Sequence, residues 1–203
     1  MSTSSSYHHG DLRPAILKAA AKLLEKQGLA ELSLREIARR AGVSHAAPYR
    51  HFPDRQSLLA ALAAEGFAKL GEAQREAAAR AGLRGMGEAY VRFALEHPQR
   101  FRLMFGGQLR IARHAALREI ATRVFDGLAG AFAAQIPGRA GHDASIAAWS
   151  LVHGLALLMI EEKIAGTARG GRKTDDFVRS ILNSIRFVVG TANQVAVGPA
   201  KSA

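Results

Sequence analysis

The side chains best equipped for chemistry lie close together: Ser44, His45, Tyr49, Arg50 and His51, with Ser33 and Arg35 ahead of them and Arg55 just beyond. Imidazole, phenol, hydroxyl and guanidinium groups at this density are suited to meeting phosphate oxygens and base edges. Most of them sit in one stretch, Ala41-Gly42-Val43-Ser44-His45-Ala46-Ala47-Pro48-Tyr49-Arg50-His51-Phe52. Gly42 supplies the left-handed residue that ends a helix, and Ser44 is placed to cap the next by accepting from an orphan backbone N–H. Val43, between them, turns inward to set the angle. The stretch reads as the turn and second helix of a helix-turn-helix, spanning about 44–52. Ala46 and Ala47 offer only van der Waals contact, for example with a thymine methyl. Pro48, at about the fourth helical position, deletes one helical bond and stiffens the start.

Other chemistries are excluded by what is missing. The eight His and the scattered carboxylates form no His-x-x-x-His, His-Glu or Ser-His-Asp spacing with a mechanism, so catalysis is not expected. The Gly-rich 166–171 lacks a following Lys-Ser/Thr and cannot be a phosphate loop. With no Cys there are no disulfides, thiolate metal sites or Cys nucleophiles, and a reducing, cytoplasmic compartment is the simplest fit. His8-His9 invites a metal reading, but adjacent strand residues point to opposite faces and no Asp, Glu or Cys completes a set. We expect no metal or cofactor, and read 1–10 as a flexible arm that touches DNA or packs on the first helix. The net charge of +11 favours a polyanionic partner weakly, since residues 1–55 hold 9 Lys/Arg against 5 Asp/Glu and carry less than half of it. No apolar signal segment opens the chain, and the longest apolar run, 147–160, is shorter than the ~20 residues that span a bilayer. It reads as a buried helix, with no membrane partner.

The elements that position this chemistry are all helices. Ala is abundant and β-branched runs are scarce. Asp11 can cap a first helix reaching Gln27, with Ile16, Ala19, Ala20 and Leu23 inward and Lys18, Lys22 and Lys26 on a solvated face. Ser33-Leu34-Arg35-Glu36 is a capping box, flanked by a Leu32/Ile37 hydrophobic staple. Asp54 caps a fourth helix, and Arg55 in its first turn opposes the helix dipole unless an anion such as a phosphate binds there. That helix fades through 77–80, and Gly82, Gly85 and Gly87 loosen the start of a fifth. A short piece over 98–105, a long helix over 112–135, one over 144–165 capped by Asp143, and a last one to about 189 capped by Asp175 complete about nine. The segment 166–171 reads as a linker and 191–203 as a disordered tail. The expected organisation is an arm (1–10), a helix-turn-helix domain (11–60), and a helical effector-binding and dimerisation domain (61–190).

Residues 7–62 resemble the DNA-binding domain of the TetR family of bacterial transcriptional regulators. The resemblance rests on Leu34-Arg35-Glu36-Ile37-Ala38-Arg39-Arg40-Ala41-Gly42-Val43-Ser44, Tyr49-Arg50-His51-Phe52-Pro53-Asp54-Arg55 and Leu58-Leu59. Pro48 departs from it, standing where the family usually has Leu. The resemblance implies that Arg35 and His45 read bases, that Tyr49, His51 and Arg55 anchor phosphates with Ser33 adding another, and that Arg50 does either. It implies a homodimer, because one short element reads too few bases, and a palindromic operator. Trp149-Ser150-Leu151-Val152-His153-Gly154 and Phe101-Arg102-Leu103-Met104-Phe105 are similar to a C-terminal subtype named for its Trp, His and Gly. There, Phe101, Met104, Phe105, Phe125, Trp149 and His153 either line a small-molecule effector pocket or pack an ordinary core. The function implied is a dimeric repressor released by an effector, its dimer formed by the last two helices. The rival is a ligand-binding or interaction protein with a degenerate DNA-binding domain.

Overall fold

The computed structural model describes residues 12–185, and every regular element in them is helical. In order these are α1 (Leu12–Gln27), α2 (Leu34–Ala41), a 3-10 turn (Pro48–Arg50), α3 (Arg55–Glu96), α4 (Pro98–Phe105), a second 3-10 turn (Ile111–Arg113), α5 (Ala115–Ala133), α6 (Arg139–Ile160), α7 (Gly166–Arg169) and α8 (Thr174–Ser184). The arm, its His8-His9 pair, the Asp11 cap, the expected end of the last helix near 189 and the 191–203 tail lie outside the described residues.

Local chemistry sets the first two helices. Ile16, Leu17, Ala20, Leu23 and Leu24 of α1 are buried at helical spacing, while Lys18, Lys22 and Lys26 face solvent. Ser33 holds extended backbone and its Oγ accepts from the Glu36 N–H at 3.2 Å, while the staple residues Leu32 and Ile37 are fully buried. The other half of the box does not form, because Glu36 is taken by two arginines described below. α2 ends in a Schellman motif: Gly42 is left-handed at φ 70°, and the Val43 and Gly42 N–H groups donate to the Ala38 and Arg39 carbonyls.

The 42-residue α3 is the spine on which α1, α4, α5, α6 and α8 pack. Its cap is as expected, with Asp54 Oδ1 accepting from the Ser57 N–H at 2.7 Å. The fading and loosening expected over 77–87 is confined to one break, Ala81 (φ −144°, ψ 20°) and Gly82 (φ 58°, ψ −146°). Helical geometry persists on either side, so α3 is two arms sharing one spine. The Gly82 conformation is open essentially to glycine alone.

Four other expectations are corrected. No α-helix forms over 44–52; a run of turns and the short 3-10 element stand there, because Pro48 has no N–H to give. Asp143 does not cap α6, which starts after Gly138 (φ 75°); its carboxylate lies 3.8 Å from Arg139 one turn back. Asp175 lies inside the first turn of α8 rather than at its cap. The linker 166–171 contains the single turn α7, closed by left-handed Gly170. α6 has the length and hydropathy to cross a membrane, but it packs against α3 and α5.

Replacing Gly82 by Ala forces a side chain into that conformation. The expected cost is about 1–3 kcal/mol, read as a lower urea midpoint, while Gly127→Ala in open space on α5 costs nothing measurable.

Candidate nucleic-acid interface and interior cavity

The turn that replaces the second helix is held by consecutive short-range bonds. Ala47 N–H donates to Ser44 O at 3.0 Å, Arg50 N–H to Ala47 O at 3.3 Å, and His51 and Phe52 N–H to Pro48 O at 3.0 and 2.8 Å. The Ser44 backbone carbonyl, rather than its side chain, thus meets the first donor, and the helical turn has Ala47 at its N-cap with no side-chain cap. Pro48 and Phe52 are buried, with the Arg13 guanidinium 5.3 Å above the Phe52 ring. Burying these two leaves Ser44, His45, Ala46 and Arg50 exposed, Ala47 and His51 half-buried, and Tyr49 at 56% exposure. An aromatic phenol this open, beside an imidazole and a guanidinium, is a surface lacking its partner.

Ion pairing sorts the three arginines of α2. The Glu36 carboxylate accepts from Arg39 Nε at 2.7 Å and Nη2 at 2.6 Å, and from Arg40 Nε at 2.8 Å. Hydrogen bonds from Arg39 and Arg40 hold it well below the usual range, at about 2. Arg35, exposed at the N-terminal end of α2, takes no part in that cluster. Among the described residues its guanidinium has no hydrogen-bond or ion-pair partner, whereas Arg39 and Arg40 are partly neutralised.

Arg55 has a different occupation from the one expected. Its Nε donates to the Leu32 carbonyl at 2.8 Å and its Nη2 to the Leu29 carbonyl at 2.6 Å. Two backbone carbonyls of the α1–α2 loop thus face the cation in the first turn of α3. Arg55 is a clasp between α3 and that loop. Sequence spacing could not signal this, because the partners are 23 and 26 residues away.

A second clasp joins α1 to α4. Both oxygens of Glu25 accept backbone N–H groups, from Gln99 and Arg100, each at 3.1 Å. A carboxylate on the orphan donors of a helix is a favourable charge–dipole contact, and α4 starts with Pro98 at its first turn. The far end of α4 is tied to α6, with Arg102 Nη2 2.7 Å from Glu161 Oε1.

That same α4 carries Phe105 into the wall of an interior cavity. One lobe, about 370 Å³ and partly open to solvent, is lined by α3, α5 and α6 and the segment before α5, through Phe67, Gln74, Tyr90, Phe105, Phe125 and Trp149 among others. A second lobe of about 300 Å³ shares Gln74, Tyr90, Leu128 and Trp149 with it. The expected set is therefore divided. Phe105, Phe125 and Trp149 line the cavity, whereas Phe101 and Met104 are buried in the core at 0% and 2% exposure and His153 stands behind the wall. Val124, Phe125 and Leu128 of α5, which line the cavity, are half-buried.

Tyr90, which no sequence motif singles out, is the hub of the wall. Its hydroxyl accepts from Trp149 Nε1 at 3.2 Å and meets His153 Nδ1 at 2.8 Å. Because the indole can only donate, the phenol proton goes to Nδ1, which makes His153 a neutral imidazole with its proton on Nε2. Burial pushes the Tyr90 hydroxyl up and His153 below its ordinary 6.5. Protonating His153 would set two donors against one hydroxyl. The sign follows: this contribution to stability is complete above pH 6.5 and is lost as pH falls toward the depressed folded value.

A three-element head with an exposed basic turn, clasped to a helical body with an apolar cavity, defines a helix-turn-helix DNA-binding regulator. Residues 83–185 match the tetracyclin repressor-like C-terminal domain, and residues 16–62 match the bacterial regulatory proteins of the tetR family. The chain belongs to the TetR family of transcriptional regulators. A structure of a protein of unknown function from Rhodococcus sp. RHA1 is 36% identical, with a TM-score of 0.74 over 89% of this chain and 96% of that one. PfmR, a TetR family transcriptional regulator from Thermus thermophilus, shares the fold at 21% identity and TM-score 0.60, over 83% of this chain and 94% of that one. An uncharacterized HTH-type transcriptional regulator of Mycobacterium tuberculosis is 42% identical over 59 residues, 29% of this chain. The match spans 31% of that relative's length.

Two outcomes follow from the clasp and the hub. Arg55→Ala should lower unfolding stability by about 1–2 kcal/mol through two lost charged hydrogen bonds, and Arg55→Lys should recover only part, since one ammonium cannot fork to both carbonyls. In NMR titrations His153 should titrate below its ordinary 6.5 because it is partly buried, and a value at or above 6.5 would refute that reading.

Proposed function

We propose that this regulator is a homodimeric repressor that binds a palindromic double-stranded operator and is released by a small molecule. What carries the reading is that one helix, α3, contributes Leu58, Leu59 and Leu62 to the core of the head and Phe67, Leu70 and Gln74 to the region of the cavity wall. Filling the cavity therefore acts on the spine that holds the DNA-facing turn. Phe105 and the Glu25 clasp give α4 a parallel connection. The effector releases DNA by binding more tightly to the geometry in which the two heads are wrongly spaced. No cofactor takes part, and the protein acts in the cytoplasm.

On the DNA, Arg35 and His45 read bases, Arg50 reads a base or holds a phosphate, and Tyr49, His51, Arg55, Ser33 and Ser44 position the head, with Ala46 and Ala47 in apolar contact. The uncommitted guanidinium of Arg35 supports its role, and the 56% exposure of Tyr49 supports the role of that side chain. The dimer forms through α6 and α8. On α6, Ile146 and Leu158 are 41% and 48% exposed, apolar side chains that a second copy would cover. Two heads would then meet successive major grooves about 34–36 Å apart.

One observation favours the rival, a ligand-binding protein whose head no longer discriminates operators: the missing α-helix over 44–52. Gel-shift titrations of an upstream palindrome and a scrambled duplex at physiological salt separate the two. Arg35→Ala should lose about 1–3 kcal/mol on the palindrome and much less on the scrambled duplex. Equal affinity of the wild type for both duplexes would establish the rival.

A further inference from the structure

The cavity has a distinctive polar inventory. None of the residues lining the larger lobe is Asp, Glu, Lys or Arg. In the smaller lobe the one charged lining residue is Arg84, whose Nε already lies 3.5 Å from Glu88 Oε1. The Tyr90 hydroxyl is engaged by Trp149 and His153. Gln74 stands apart. It is buried, with 6% exposure, it lines both lobes, and among the described residues its amide meets no hydrogen-bond partner. A primary amide that lines a cavity and has no protein partner is set to be satisfied by what enters. Around it the walls are aromatic: Phe67 and Phe105 lie edge to face at 5.2 Å, and Phe125 and Trp149 at 5.8 Å. Flat rings in tilted array favour a flat guest.

We propose that this two-lobed cavity takes an uncharged, planar aromatic molecule carrying one hydrogen-bonding group, and that Gln74 selects for that group. The proposal rests on the reading of the cavity as the effector site and specifies its chemistry. The larger lobe holds no carboxylate, ammonium or guanidinium, and besides Tyr90 its one titratable lining residue is His142, so an ion would shed its hydration there without a fixed countercharge. The amide both donates and accepts, so a hydroxyl, carbonyl or amide serves, held beside Gln74 where the two linings share residues.

The test is calorimetric titration of the full-length protein, without DNA, using 1-naphthol, naphthalene, naphthalene-1-carboxylate and 1-naphthylmethylammonium at pH 7. 1-Naphthol should bind at least roughly tenfold tighter than either ion. Gln74→Leu should weaken 1-naphthol roughly three- to tenfold and leave naphthalene unchanged or tighter, because the unsatisfied amide is gone. Gln74→Glu should turn preference toward the ammonium, and it carries the test if the leucine variant fails to fold. Equal or tighter binding of the carboxylate, an unchanged naphthol-to-naphthalene ratio in both variants, or no binding of any probe at millimolar concentration by folded protein would overturn the proposal. Release is read separately, by adding 1-naphthol to the operator complex. Gln74-dependent binding that leaves that complex intact overturns release and supports the cavity assignment.

Discussion

The structure depends on the persistence of one helix through two cores. From Leu58 to Leu62 α3 closes the small head, and from Phe67 to Gln74 it walls the cavity. A helix cannot shift one end without moving the other, because its backbone bonds fix rise and rotation per residue. The break at Ala81–Gly82 sets where that rigid span stops. Beyond it, the second arm brings Tyr90 back to the same cavity, so both sides of the wall come from one continuous element.

The head is small, and polar clasps make up for the limited apolar area it can bury. Arg55 forks onto two loop carbonyls and Glu25 seats two N–H groups of α4. Each clasp satisfies backbone groups that a helix end or loop leaves orphaned. Glu36 plays another part, holding Arg39 and Arg40 and leaving Arg35 at large. Charge on α2 is thereby concentrated at its N-terminal end. The larger lobe obeys the opposite rule: no Asp, Glu, Lys or Arg lines it, and the Tyr90 hydroxyl in its wall is engaged by Trp149 and His153. An interior built this way discriminates by shape and one hydrogen bond rather than by charge.

Much of this is legible in the sequence, for local reasons. The Ser33 cap, the Leu32/Ile37 staple, the Gly42 stop and the Asp54 cap each involve residues within about five positions, and all are present as read. Helical periodicity locates the inward faces of α1 and α2 and the apolar stripe of α5. The departure at Pro48 is visible too, but its consequence is not. Whether a proline stiffens a helix or replaces it by a 3-10 turn depends on the space around it, and here burial of Pro48 and Phe52 decides for the turn. Asp143 reads as a cap but is none, because its pairing with Arg139 and the start at Gly138 compete with the same pattern.

By itself, then, the chain determined the all-helical class, the family and the position of the exposed basic turn, since these rest on short-range stereochemistry and contiguous motif. Tertiary structure alone decided the rest. Arg55 clasps the α1–α2 loop, Phe101 and Met104 went to the core while Phe105 reached the cavity, and Tyr90 and Gln74 emerged as its polar centre. Those outcomes turn on partners 16 to 63 residues away, such as Gln74 with Tyr90 across the wall and Tyr90 with His153. No local pattern encodes such meetings; they follow from where packing leaves space.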